Sequence, residues 1–146
     1  MEYIAYKDFS GKAIFGAVNI PKGTTCTENN GIIYLGDSPI CAKTSQRAFD
    51  YFARNNDGEG LKRGELVTNI KETLAMPDEH HEERWHRVWD SPVCRQFNRG
   101  GDYWNWNYAF YNADIHVLEY IYKLITDENW VETAEPTTTD TDAKEE

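Results

Sequence analysis

The chain lacks long apolar runs, has few cysteines and carries none of the common catalytic signatures. No window of its 146 residues comes near the roughly 18 apolar positions that a membrane-spanning helix needs. Met1 leads straight into Glu2-Tyr3-Ile4-Ala5-Tyr6-Lys7-Asp8, without the apolar stretch of a secretory leader or a lipidation signal. Cys26, Cys41 and Cys94 are odd in number and form no Cys-x-x-Cys pair, so a disulfide framework is not expected. These features point to the cytoplasm, with no membrane partner. The chain also has no nucleophile elbow, no paired-glycine dinucleotide loop, no phosphate loop and no Ser/His/Asp frame. The expectation is therefore a protein that binds rather than catalyses, with no cofactor.

Basic residues are also few. Lys and Arg number 15 against 25 Asp and Glu, for a net charge of −10. Eight of those acids lie from Asp127 onward, opposed only by Lys144, and the preceding 126 residues are nearly neutral. Carboxylates can imitate nucleic-acid phosphates, but this partition leaves the body without the necessary field. Direct nucleic-acid binding is not expected. The stretch Thr133–Glu146 has no large apolar residue and is rich in Thr and charge, a composition that cannot offset the entropy of ordering. The sequence thus predicts a single α+β domain over residues 1–130 and a disordered acidic tail over 131–146.

Aromatics, by contrast, are abundant: five Trp, nine Tyr and six Phe. The first 43 residues alternate apolar clusters with turn signals. Tyr3–Tyr6, Ala13–Phe15, Ala17–Ile20 and Ile32–Leu35 are separated by Ser10-Gly11, Pro21-Lys22-Gly23, Asn29-Asn30-Gly31 and Gly36-Asp37. Asn30-Gly31 predicts a type I′ hairpin joining a strand at Thr24–Thr27 to one at Ile32–Leu35. A small antiparallel sheet or partly closed barrel is expected, followed by about four helices.

The first helix is capped by Ser45, buries Ala48, Phe49, Phe52 and Ala53, and should stop at Asn55-Asn56-Asp57-Gly58. Leu66, Ile70 and Leu74 stripe the second, which ends before Pro77. The third opens at Pro77-Asp78-Glu79, buries Trp85, Val88 and Trp89, and closes at Pro92. Asp114 caps the last, with Ile115, Leu118, Ile121, Tyr122 and Ile125 inward. Strands followed by helices is the α+β pattern.

Three segments are candidates for chemistry. Glu79-His80-His81-Glu82-Glu83-Arg84-Trp85-His86 resembles a metal-binding helix, but the residue four after His81 is Trp85, and His86 lies about 140° around the helix from His81. Glu82 and His86 share a face, but two ligands are short of a site unless a residue such as Cys94 joins them; no metal is expected. Asn55–Leu66 begins like a calcium loop, with Asn55, Asp57, Glu59 and Gly60 in place, yet Leu66 stands where a bidentate Glu belongs.

The third segment, Arg95–Asn112, packs seven aromatics, four Asn and two Arg into eighteen residues. Rigid aromatic surface beside Arg and Asn is the composition of binding hot spots, and the same rings could stack a sugar or a base. Arg95, Arg99, Asp102, Trp104, Trp106 and Asn107 are the expected partner- or ligand-binding residues. Burial of the rings under the last helix is the competing reading.

The stretches Gly16–Thr24, Tyr51–Gly60 and Trp104–Ala113 resemble segments of uncharacterised prophage proteins of Gram-positive bacteria. That resemblance transfers no activity and no site residue. It implies a context in which a small phage protein acts by stoichiometric binding of a host protein, inhibition of a host defence nuclease included, within the host cytoplasm. A module for a nucleotide, signalling metabolite or sugar, and a metal-dependent hydrolase built on His80, His81 and His86, are the alternatives.

Overall fold

The computed structural model describes residues 1–128 and 130. The expected tail over 131–146 lies outside them. The described chain is α+β, with its strands before most of its helices. It divides into two compact units, Met1–Glu65 and the described residues from Leu66 onward.

The first unit holds the seven strands of the described residues: β1 Glu2–Ala5, β2 Phe9–Ala13, β3 Gly16–Ile20, β4 Thr25–Asn29, β5 Ile32–Leu35, β6 Ser38–Ala42 and β7 Phe52–Arg54, with helix α1 Gln46–Tyr51 before β7. Five form an antiparallel sheet in the order β6-β5-β4-β1-β7, and β2 and β3 form a separate ribbon. Among the described residues there is no closed barrel. Asn30-Gly31 makes the expected two-residue turn between β4 and β5, with φ of 53° and 86° respectively, as a type I′ turn requires.

Two local expectations give way. Ser10-Gly11 runs inside β2, and the hairpin instead turns at Ile14-Phe15, between the paired residues Ala13 and Gly16. Helix α1 stops at Tyr51 rather than at Asn55, because Phe52, Ala53 and Arg54 pair with Ala5, Ile4 and Tyr3. Phe52 and Ala53 are buried either way, so helical periodicity could not distinguish a helix end from a short strand. Ser45 does cap α1, its hydroxyl accepting from the Ala48 N–H at 3.1 Å.

The core of this unit gathers Tyr3, Ala5, Phe9, Ile20, Cys26, Ile33, Ile40, Cys41, Ala48 and Phe52. Burial pushes the Cys26 thiol up to about 11, with Cys41 adding to the effect, so Cys26 stays a neutral apolar filler.

Helix α2, Gly60–Ala75, begins six residues before its expected stripe. Gly60 and Gly64, one turn apart, let its first turns approach β1. A Cβ on Gly60 would lie 2.4 Å from Ile4 Cγ2, and one on Gly64 would lie 2.1 Å from Tyr6 Cγ. Arg63 is fully buried. Its guanidinium donates to the Arg54 carbonyl at 2.8 Å and to both carboxylate oxygens of Asp57. That pair answers the calcium-like spacing of Asn55–Leu66: Asp57 neutralises a buried arginine of its own chain, and Asn55 Oδ1 accepts from the Gly60 N–H at 2.8 Å.

The second unit carries α3 His81–Asp90, α4 Pro92–Arg95, α5 Tyr108–Tyr111 and α6 Ile115–Thr126. Helix α3 starts at His81 rather than Pro77. Pro92 opens the one-turn α4 instead of merely closing α3, with Ser91 Oγ accepting from the Cys94 N–H at 3.2 Å. Two one-turn helices, α4 and α5, therefore join the four that the sequence predicts. Val117, Leu118, Ile121, Leu124 and Ile125 are buried, whereas Ile115 and Tyr122 are half-buried.

Candidate functional site

The aromatic segment folds back on itself. The Arg99 N–H donates to the Asn105 carbonyl and the Asn107 N–H to the Phe97 carbonyl, both at 2.9 Å, around an isolated bridge between Asn98 and Trp106. Asn98 Oδ1 ties the loop from inside, accepting from the N–H groups of Gly100 at 3.3 Å and Asn105 at 3.0 Å. Gly100 and Gly101, both at φ 98°, supply the reversal that L side chains rarely adopt. The loop tip presents Arg99, Asp102 and Tyr103 to solvent, and Tyr103 is 85% exposed.

Behind the tip lies a stack of rings. Trp106 is buried and stacks on Phe110 at 3.9 Å between centroids. Trp104 meets Trp106 edge-on at 5.1 Å, Trp89 edge-on at 5.0 Å and Trp85 at 6.2 Å. Trp104 and Trp106, two apart in an extended segment, thus share one face. Ring packing orients Trp104, whose buried Nε1 meets no acceptor among the described residues. Trp85 Nε1 donates to the Leu74 carbonyl at 3.1 Å, which fixes the other wall. Trp85 is half-buried and Trp89 is exposed, against the expectation that both lie inside α3 with Val88. Trp85 is held between Trp104 and the Leu74 carbonyl of α2, whereas Trp89 meets Trp104 edge-on at the surface.

The six predicted site residues separate by position. Arg95, Arg99 and Asp102 are exposed, and Trp104 is half-buried. Trp106 lies in the core. Asn107 caps α5, its Oδ1 accepting from the Phe110 N–H at 3.1 Å while its Nδ2 donates to the Gln96 carbonyl at 3.0 Å. Sequence reasoning did not single out Trp89 and Tyr103 as surface residues. Tyr103 had a signal in the Gly100-Gly101-Asp102 turn beside it, whereas Trp89 had none.

Next to this surface, His81, Glu82, Trp85, His86 and Trp89 outline a hollow of about 280 Å³. All five belong to α3, so the hollow has no facing wall. A second hollow, of about 530 Å³, is lined in part by Thr73, Met76, Arg84, Arg87, Ile125 and Asp127. Both its arginines are engaged. Arg84 binds the Met76 carbonyl at 3.1 Å and Asp78 at 2.7 Å, and Arg87 binds the carbonyls of Leu124 and Asp127 and the Glu83 carboxylate.

The histidine-rich stretch does not converge. His81 Nδ1 lies 2.9 Å from the Met76 carbonyl and His80 pairs with Glu79. Cys94 is wholly buried, and its thiol is pushed up to about 11 by that burial. Among the described residues, no three His, Cys, Asp or Glu side chains come together as a metal site. No described helix is long and apolar enough to cross a membrane.

Compared with protein-family models, curated proteins and solved structures, the chain matches none.

Proposed function

We propose that this protein acts by stoichiometric binding of another protein, with the surface formed by Trp89, Tyr103 and the exposed part of Trp104 as its anchor and Arg95, Arg99 and Asp102 as its polar rim. The observation that carries this reading is the exposure of Trp89 against the Trp104–Trp106 stack, with Tyr103, 85% exposed, at the tip of the same loop. Exposed aromatics on a preformed base lose little entropy on binding, and Trp, Tyr and Arg are the residues that dominate interface energetics. The partner in this reading is a host protein, with defence nucleases one class of target.

A small-ligand module is the weaker reading. Ligand pockets enclose most of a small molecule's surface, and a hollow bounded by one helix cannot. A flat protein surface suits it better.

The test is capture from a Gram-positive host lysate with wild-type protein and with a Trp89→Ala/Tyr103→Ala double variant. The reading expects a protein that wild type retains at fixed stoichiometry and the double variant releases. Equal capture by both would overturn it, and a thermal shift with a nucleotide or sugar instead would favour the small-ligand reading.

A further inference from the structure

The β2–β3 ribbon leaves one strand edge unguarded. Sheet edges invite pairing with other chains, and proteins usually block them with Lys, Pro, bulges or short strands. The other edges of this unit are blocked in these ways. β6 contains Pro39 and faces an irregularity at Ile33/Tyr34. β7 is only three residues long. On β2, the Lys12 carbonyl is taken by the Arg47 guanidinium.

β3 has no such block. Ala13–Ile20 contains neither a charge nor a proline, and among the described residues β3 pairs with β2 alone. The two-residue turn closes on the hydrogen-bonded pair Ala13 and Gly16, so alternation along the ladder turns the N–H and C=O groups of Ala17 and Asn19 away from β2. Both residues are exposed. The turn itself is apolar, with Ile14 50% and Phe15 84% exposed, where Asn and Gly are the usual residues.

We propose that β3 is a self-association edge, pairing antiparallel with β3 of a second copy to form a four-stranded sheet. A two-fold axis through Val18 sets Ala17 of one copy against Asn19 of the other, and each such pair exchanges both of its backbone hydrogen bonds. Charge favours a second copy as occupant. Across a two-fold axis every charged edge meets its own sign, whereas β3 has no charge to oppose and, unlike the equally uncharged β6, no proline to interrupt its ladder. The paired length is only five residues, so the dimer is weak and concentration-dependent.

The experiment is sedimentation equilibrium of the full chain up to about 1 mM, a range that reveals dimers with millimolar dissociation constants. It is run on wild type, Ala17→Pro and Asn19→Lys, with hydrogen exchange at dilute and concentrated protein. The Pro variant removes an outward N–H and spares the hairpin ladder. The Lys variant guards the edge without touching the backbone, and so decides the matter if Ala17→Pro fails to fold. The expected result is a wild-type mass rising toward twice the monomer, slower amide exchange at Ala17 and Asn19 on concentration, and monomeric variants. A wild type that stays monomeric throughout, variants that dimerise like wild type, or masses growing past the dimer would each overturn the proposal.

Discussion

The indole of Trp104 meets that of Trp89 edge to face, with ring centroids 5.0 Å apart, and also meets that of Trp106 at 5.1 Å. One ring thus joins an exposed tryptophan to a buried one. Truncating the two ends should therefore have unequal effects. Trp106→Ala empties a core position stacked on Phe110 and is expected to cost about 3–5 kcal/mol of stability. Trp89→Ala loses one edge-to-face partner and some half-covered area, for about 1 kcal/mol. Urea melts of the two variants check this ordering.

Gly64→Ala should destabilise the first unit even though alanine is the better helix former by roughly 1 kcal/mol. The added methyl would sit 2.1 Å from Tyr6 Cγ, and the Tyr6 ring cannot swing aside while its hydroxyl donates to the Phe49 carbonyl. Overpacking of this kind costs about 1–3 kcal/mol or more, which outweighs the propensity gain. A lowered urea midpoint for Gly64→Ala, beside an unchanged one for Glu65→Ala, is the expected pattern.

Asp57 gives the first unit a definite acid response. The hydrogen bond from Arg63 holds its carboxyl down at about 2, below the usual 3.8, against the opposing effect of burial. A carboxyl depressed in the folded state contributes stability that is complete above pH 3.8 and lost as pH falls toward 2. Thermal melts at pH 5, 3 and 2 should show that loss for wild type and a smaller pH dependence for Asp57→Asn. Because Arg63 is fully buried, Asp57→Ala should also be more harmful than Arg63→Met, since the first strands a buried charge and the second removes it.

The sequence was most informative where local chemistry decides structure. Asn30-Gly31 specified its turn, Ser45 its cap, and Leu118, Ile121 and Ile125 their buried face, because each depends on neighbours a few residues away. It was least informative where a partner distant in sequence decides. Phe52–Arg54 leave the helix to pair with β1, Gly60 and Gly64 owe their identity to Ile4 and Tyr6, and Asp57 owes its role to a buried Arg63. At the candidate site, composition located the segment but could not divide it. Trp106 and Asn107 turned out to hold the fold, and Trp89, whose ring meets that of Trp104, reached the surface.

The central claim is that the Trp89–Tyr103 surface binds a protein, and the most direct measurement is the affinity of Tyr103→Ala for the partner that wild type captures, with its urea melt alongside. At 85% exposure Tyr103 contributes little to folding, so the melt should be unchanged. The dissociation constant should rise about 30-fold, the equivalent of a 2 kcal/mol hot spot. Wild-type affinity in this variant, and again in Trp89→Ala, would contradict it.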